Sequence, residues 1–173
     1  MVIGIGRLFK LVSAESFGSM KFVADKMLGR LAKWLRVIGQ DVAYGPHLSG
    51  HGLIREARRE GRMILTRDHS VTKGNPPDYL LIQSNQFREQ LQQVIHACHL
   101  DPWKEPFTRC VECNTALVPI AKEKVENRVP PYVFTTQEKF SFCSKCQRIY
   151  WPATHQHKML EELKALGFPP ARI

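Results

Sequence analysis

Four cysteines offer the clearest chemistry in this 173-residue sequence: Cys110-Val111-Glu112-Cys113 and, beyond residues 114–142, Cys143-Ser144-Lys145-Cys146. A Cys-x-x-Cys turn presents two thiolates to one metal ion. Two such turns complete a tetrahedral set of four sulfurs, the donors Zn²⁺ takes when its role is structural. Cys110, Cys113, Cys143 and Cys146 are therefore expected to hold Zn²⁺ in a zinc ribbon, in preference to disulfides, redox use or an iron–sulfur centre. A closed set leaves no open position for substrate, so a reaction has to be sought elsewhere. Asp25 and Asp68 each follow a short apolar run, and paired carboxylates suit a hard cation such as Mg²⁺ or Mn²⁺. A single Asp in that position also serves as a helix N-cap.

The elements that would position these acids can be read from the pattern. Residues 21–24 and 62–66 are apolar runs with strand character, followed by Asp25 and by Arg67-Asp68. Residues 41–44 and 79–82 supply two further strands. Between them the spacing predicts helices over 26–38, 53–60 and 86–99, stopped by Gly39, by Gly61 and near His99. Leu28, Leu31, Leu35 and Ile38 form one apolar stripe of the first helix; Lys26, Arg30 and Lys33 lie opposite, with Arg36 at the margin. Strands alternating with helices imply an α/β fold with a mostly parallel sheet, and functional groups in such sheets gather beyond the carboxyl ends of the strands. Cys98 falls on the apolar face of the third helix and reads as core. A short helix is expected over 156–166.

The bulk properties set limits on partners. The net charge is +9 with a pI near 9.5, which favours a polyanionic partner, with RNA, DNA and an anionic membrane as candidates. Cysteines in metal spacing suit a reducing compartment, so a cytoplasmic location is expected. No apolar run approaches the ~20 residues of a membrane span. Residues 1–19 break their apolar residues with glycines and cations, and read as an N-terminal extension rather than a secretory signal. The expected organisation is an extension (1–19), an α/β domain (20–103) and a ribbon with a C-terminal helix (104–173), joined by a linker over 101–106. An exposed sheet edge permits a homodimer without requiring one.

Three stretches resemble one family. Residues 21–36 (Lys-Phe-Val-Ala-Asp-Lys-Met-Leu-Gly-Arg-Leu-Ala-Lys-Trp-Leu-Arg) are similar to the opening motif of the PIN-like RNase domain found at the C-terminus of the Mut-seven exonuclease. Residues 61–68 (Gly-Arg-Met-Ile-Leu-Thr-Arg-Asp) resemble its second motif. Residues 109–114, Val129-Pro130-Pro131 and 143–152 resemble its trailing zinc ribbon. The resemblance spans residues 21–159 and implies a PIN-type fold and metal-dependent cleavage of RNA. It places Asp25 as the first acid and Asp68 as the acid of the Leu-Thr-Arg-Asp motif. The chain departs from the family pattern at Ser49-Gly50-His51-Gly52-Leu53, where acidic residues are usual. Glu56 and Asp78 are the candidates to make up the set.

Phosphate contacts are expected from Lys26, Arg30, Lys33, Arg36, Arg67 and Arg148. The leading reading is a metal-dependent ribonuclease with a zinc ribbon that aids RNA binding. The alternatives are an RNA-binding protein on a catalytically weakened scaffold and a zinc-stabilised interaction module.

Overall fold

The computed structural model describes residues 20–170, so the expected extension over 1–19 lies outside the described residues. Four short parallel strands form the first sheet: β1 (Lys21–Ala24), β2 (Asp41–Tyr44), β3 (Met63–Thr66) and β4 (Tyr79–Leu81), in the order β2-β1-β3-β4. The crossovers carry α1 (Gly29–Val37, entered through a 3-10 turn at Lys26–Leu28), α2 (Gly50–Glu60), α3 (His69–Lys73) and α4 (Phe87–Ala97). Alternation along the strands sends Phe22, Ala24, Val42 and Leu65 to one face, under Leu31 and Leu35 of α1 and Leu91 and Val94 of α4. It sends Val23 and Ile64 to the other face, under Leu53, Ile54 and Ala57 of α2 and Val71 of α3. Burial on both faces explains why β1 and β3 read as unbroken apolar runs. Each fully buried Leu or Phe in these clusters contributes roughly 1.5–3 kcal/mol relative to exposure.

Two helices start where apolar periodicity gives no signal. α2 begins three residues before the expected Leu53, because Ser49 O already accepts from Gly52 N (3.1 Å) and Leu53 N (3.3 Å). That first turn, Gly50-His51-Gly52, carries no apolar residue to announce it. α3, in a stretch expected to be loop, is started by the Asp68 carboxylate and anchored by the buried Val71. Gly39 closes α1 in the left-handed region (φ 86°), and a Cβ there would clash with Glu105 O.

The ribbon is a three-stranded antiparallel sheet of β5 (Val118–Ile120), β6 (Phe140–Phe142) and β7 (Ile149–Tyr150), with α5 (Pro131–Thr136) between β5 and β6. Its apolar centre is small: Val125, Val129 and Phe140, with Trp151 packed against them. α6 (Thr154–Ala165), expected to accompany the ribbon, packs instead on the first domain, where Leu163 and Leu166 join the α1/α4 cluster. Residues 101–106 are tied down rather than free: Trp103 Nε1 donates to Phe168 O (2.8 Å), and the next residue's amide, Phe107 N, donates to Val37 O (2.7 Å). Cys98 is core, as its helical position implies, with Sγ 3.8 Å from Met63 Sδ.

Candidate functional site

Parallel pairing in register brings the carboxyl ends of β1 and β3 side by side, with Ala24 opposite Leu65. Asp25 leaves β1 with its amide donating to Leu65 O (2.9 Å), and its side chain is buried at 2% exposure. Met27 N donates to Asp25 Oδ1 (3.3 Å), which caps the 3-10 turn. Thr66 Oγ1 donates to Asp25 Oδ2 (2.7 Å) and accepts from Asp68 N (3.0 Å), so one hydroxyl ties the two acids together. The Asp25 oxygen and the Asp68 amide are thereby held within roughly 6 Å. Ser70 N donates to Asp68 Oδ1 (2.8 Å), which caps α3. The Ser70 contacts, with Lys26 and His69 nearby, hold the Asp68 carboxyl below the usual carboxylate range. Both acids are N-caps, and both keep acceptor capacity toward the cleft.

That cleft encloses about 600 Å³ and is lined by Asp25, Lys26, Met27, Ser49, Gly50, Arg67, Asp68 and His69. Gly29 is needed behind it. The Tyr44 hydroxyl donates to Lys26 O (3.0 Å), and a Cβ on Gly29 would lie 2.6 Å from that hydroxyl. Sequence reading finds the two acids, Lys26 and Arg67, but misses Thr66. Strand periodicity sets Thr66 on one face of the chain with Ile64 and Asp68, two residues away on either side, but does not show its bond to Asp25.

Other expected members are elsewhere. Glu56 lies six residues along α2 from Gly50, about 9 Å by helical rise, and forms an ion pair with Arg59 at 2.7 Å. Asp78 precedes β4 at the opposite end of the sheet: its carbonyl accepts from Ile64 N, while Asp25 and Asp68 follow the far ends of their strands. Neither reaches the cleft. Arg30 stacks over the Phe87 ring at 4.3 Å, and Lys33 and Arg148 share Glu112 Oε1 (2.9 and 3.4 Å). Arg36, expected at the margin of the basic face, is corrected by the structure. It is 3% exposed, and its guanidinium donates to Val42 O, Val111 O and Glu112 O. The helix turns it inward because the ribbon covers that side of α1.

The four cysteines converge as their spacing implies. Among the described residues they form the one group of three or more Cys, His, Asp or Glu side chains able to share an ion, with ligand atoms within 4.8 Å of one another. The two turns have the same shape. Asn114 N donates to Cys110 O and Gln147 N to Cys143 O, both at 2.9 Å, with Asn114 and Gln147 in the left-handed region (φ 68° and 62°). Cys110 Sγ lies 3.5 Å from Cys146 Sγ, and Cys113 Sγ lies 3.3 Å from Cys143 Sγ. Bonds of 2.3 Å to a central Zn²⁺ would set these edges at about 3.8 Å, so the cluster fits the ion with a small expansion. Burial opposes ionisation of Cys113, but hydrogen bonds with Thr115, Cys143 and Cys110 outweigh it and bring the thiol to about 6. Burial and the neighbouring thiols push Cys146 up to about 12. Four sulfurs gathered within 4.8 Å of one another make the donor set of a single metal ion.

A parallel α/β domain with two acids at the carboxyl edge of its sheet carries a ribbon whose four cysteines could hold one metal ion. The family model described as the Mut7-C RNAse domain matches residues 20–163. The chain belongs to that family. Neither the curated proteins nor the solved structures give a match. No helix among the described residues is long and apolar enough to cross a membrane.

Proposed function

We propose that the protein cleaves RNA phosphodiester bonds at the Asp25–Asp68 cleft with one Mg²⁺ or Mn²⁺ ion. The observation that carries the reading is the Thr66 hydroxyl, which fixes one carboxylate and the backbone of the other at the same strand ends. Mg²⁺ is commonly held by one or two carboxylates together with substrate phosphates and water, and a pair of acids meets that requirement. Such an ion, when bound, supplies charge neutralisation at the phosphate and a more acidic water. The chain's own residues do the rest. Asp25 and Asp68 hold the cation, and Lys26 and Arg67 attract and orient the phosphate. The α2 amino terminus at Ser49 and Gly50 faces the same cleft with its amide dipoles. Lys33 and Arg148 extend the basic surface toward the ribbon, which would hold Zn²⁺ and carry part of the RNA contact.

A second reading, RNA binding without turnover, is favoured by one observation: no third carboxylate joins Asp25 and Asp68 among the described residues. The two readings separate in one assay. Purified protein is incubated with single-stranded and structured RNA and Mn²⁺ or Mg²⁺, beside Asp25→Asn, Asp68→Asn and Thr66→Val. Cleavage should fall at least about 100-fold in the Asp variants, the order expected for loss of electrostatic stabilisation. Thr66→Val should weaken cleavage less and cost about 1–3 kcal/mol of stability, because Asp25 stays buried without its donor. Cleavage that survives both Asp substitutions rejects the nuclease reading. Salt-sensitive binding without cleavage selects the second.

A further inference from the structure

The Arg36 guanidinium is almost wholly buried, yet its hydrogen-bond acceptors are backbone carbonyls alone. A buried cation is ordinarily paired with a carboxylate. Among the described residues no carboxylate oxygen comes within 4.0 Å of it. The two acids closest in the fold are engaged elsewhere: Asp41 with Arg62 and Arg109, Glu112 with Lys33 and Arg148. What Arg36 does touch is the first cysteine turn. Val111 and Glu112, whose carbonyls each accept from Nη1 at 2.9 Å, are the two residues between Cys110 and Cys113. From its other edge the same guanidinium grips Val42 O of the edge strand β2, at 3.0 and 2.7 Å.

We propose that Arg36 is the counter-charge of the four-cysteine metal site, so that metal loading and docking of the ribbon on β2 and α1 form one linked equilibrium. The charge sums favour it. A divalent ion held by four thiolates is dianionic overall, and a fixed guanidinium against the turn that carries two of those thiolates offsets that charge. The turn that Arg36 holds is the turn that supplies two of the four ligands, so the guanidinium and the metal site are joined by geometry. Each state of the metal site therefore changes what Arg36 is worth, and by reciprocity Arg36 changes what the metal is worth. Asn114 completes the junction: its side chain accepts from Val42 N (3.0 Å) and donates to Asp41 Oδ1 (2.7 Å). The edge strand is thus sealed by the residue that follows the second cysteine of the turn.

The inference rests on the cysteines holding zinc, which the zinc content of the purified wild-type protein checks first; its absence would remove the zinc reading itself. Given bound zinc, affinity is measured on the full chain by competition with a chromophoric chelator for wild type, Arg36→Gln and Arg36→Lys. Co²⁺ substitution reports the thiolate-to-metal absorption of each. Arg36→Gln should lower zinc affinity about 10- to 100-fold, the range for loss of an outer partner of a metal site. Arg36→Lys, which keeps the charge and loses the fork, should stay within about threefold. The melting temperature of Arg36→Gln should fall more with zinc bound than after zinc is stripped. Affinities of Gln and wild type within about twofold, or equal losses in Gln and Lys, would overturn the proposal and leave Arg36 as a hydrogen-bond clip alone. Should Arg36→Gln fail to fold even with zinc, Arg36→Lys decides: retention within about threefold supports the counter-charge, and a greater loss overturns it.

Discussion

The four-cysteine centre takes its donors from two turns of identical backbone shape, each closed by its own hydrogen bonds, whereas the Asp25–Asp68 cleft takes its donors from the ends of two separate strands. In the first, the donor set is complete within the chain, and the surrounding core is slight. In the second, the core on both sides of the sheet is extensive and the donor set is sparse and open. Under the proposed function, the difference separates two uses of a metal. Where folding depends on the ion, sequence spacing specifies every ligand; where the ion assists a ligand at a cleft, the fold exists beforehand and supplies only part of the coordination sphere.

The largest expected effect follows from that contrast. Stripping zinc with a strong chelator should release the ribbon, because metal binding in small zinc modules is worth on the order of 10 kcal/mol of folding free energy. Val125, Val129 and Phe140 alone cannot replace it. Residues 108–151 should become sensitive to limited proteolysis, while α1 through α4 keep their far-ultraviolet circular dichroism. Removing Mg²⁺ or Mn²⁺ should move the melting temperature little, since that ion stabilises only in proportion to its occupancy. A stripped ribbon that still resists protease would erase the distinction between the two centres.

A smaller effect is expected at the junction between the regions. Asp41 is 14% exposed and meets Arg62 at 2.6 Å, Arg109 at 3.6 Å and the Asn114 amide at 2.7 Å. Burial alone would raise its pKa, but the hydrogen bonds from Arg62 and Asn114 outweigh that and hold the carboxyl below the usual carboxylate range. A depressed folded-state pKa stabilises the protein above the unfolded value, near about 3.9, and the contribution is lost as pH falls through the folded value. Asp41→Asn should therefore cost on the order of 1–3 kcal/mol at neutral pH. The gap to wild type should close progressively below about pH 4 in urea unfolding. A gap that persists unchanged in acid would mean that shape, rather than charge, joins ribbon to sheet.

The sequence carried the local features well and the long-range ones poorly. Strand β1 and the stripe of α1 were legible because burial on a fixed period leaves its mark on residue type. The four cysteines were legible because ligand spacing within a turn is a local constraint. Arg36 was misread, since helical periodicity places it at a margin but cannot say that residues some 75 positions later will cover that margin. Adjacency in sequence places α6 with the ribbon, whereas Leu163 and Leu166 pack beside α4. Thr66 carries no local signal of its role, because its link to Asp25 exists only once β1 and β3 pair.

The smallest effects are expected where acids were counted toward the cleft and the fold keeps them out. Glu56 is spent on Arg59, a pair in which the Arg59 side chain is 63% exposed, and exposed pairs of this kind contribute little to stability. Asp78 stands at the amino-terminal side of β4, about three strand residues, or roughly 10 Å, from the level of Asp25. Glu56→Gln and Asp78→Asn should each leave RNA cleavage within about twofold of wild type and change stability by less than about 0.5 kcal/mol. A tenfold loss of cleavage in either variant, with metal affinity reduced alongside, would show that α2 or β4 moves when RNA binds and completes the acid set. The cleft would then resemble the cysteine centre, with its ligands all encoded but assembled only on demand. If both variants behave as wild type, Asp25 and Asp68 with Thr66 between them are the whole of the chain's contribution, and water and substrate phosphate must fill the remaining positions.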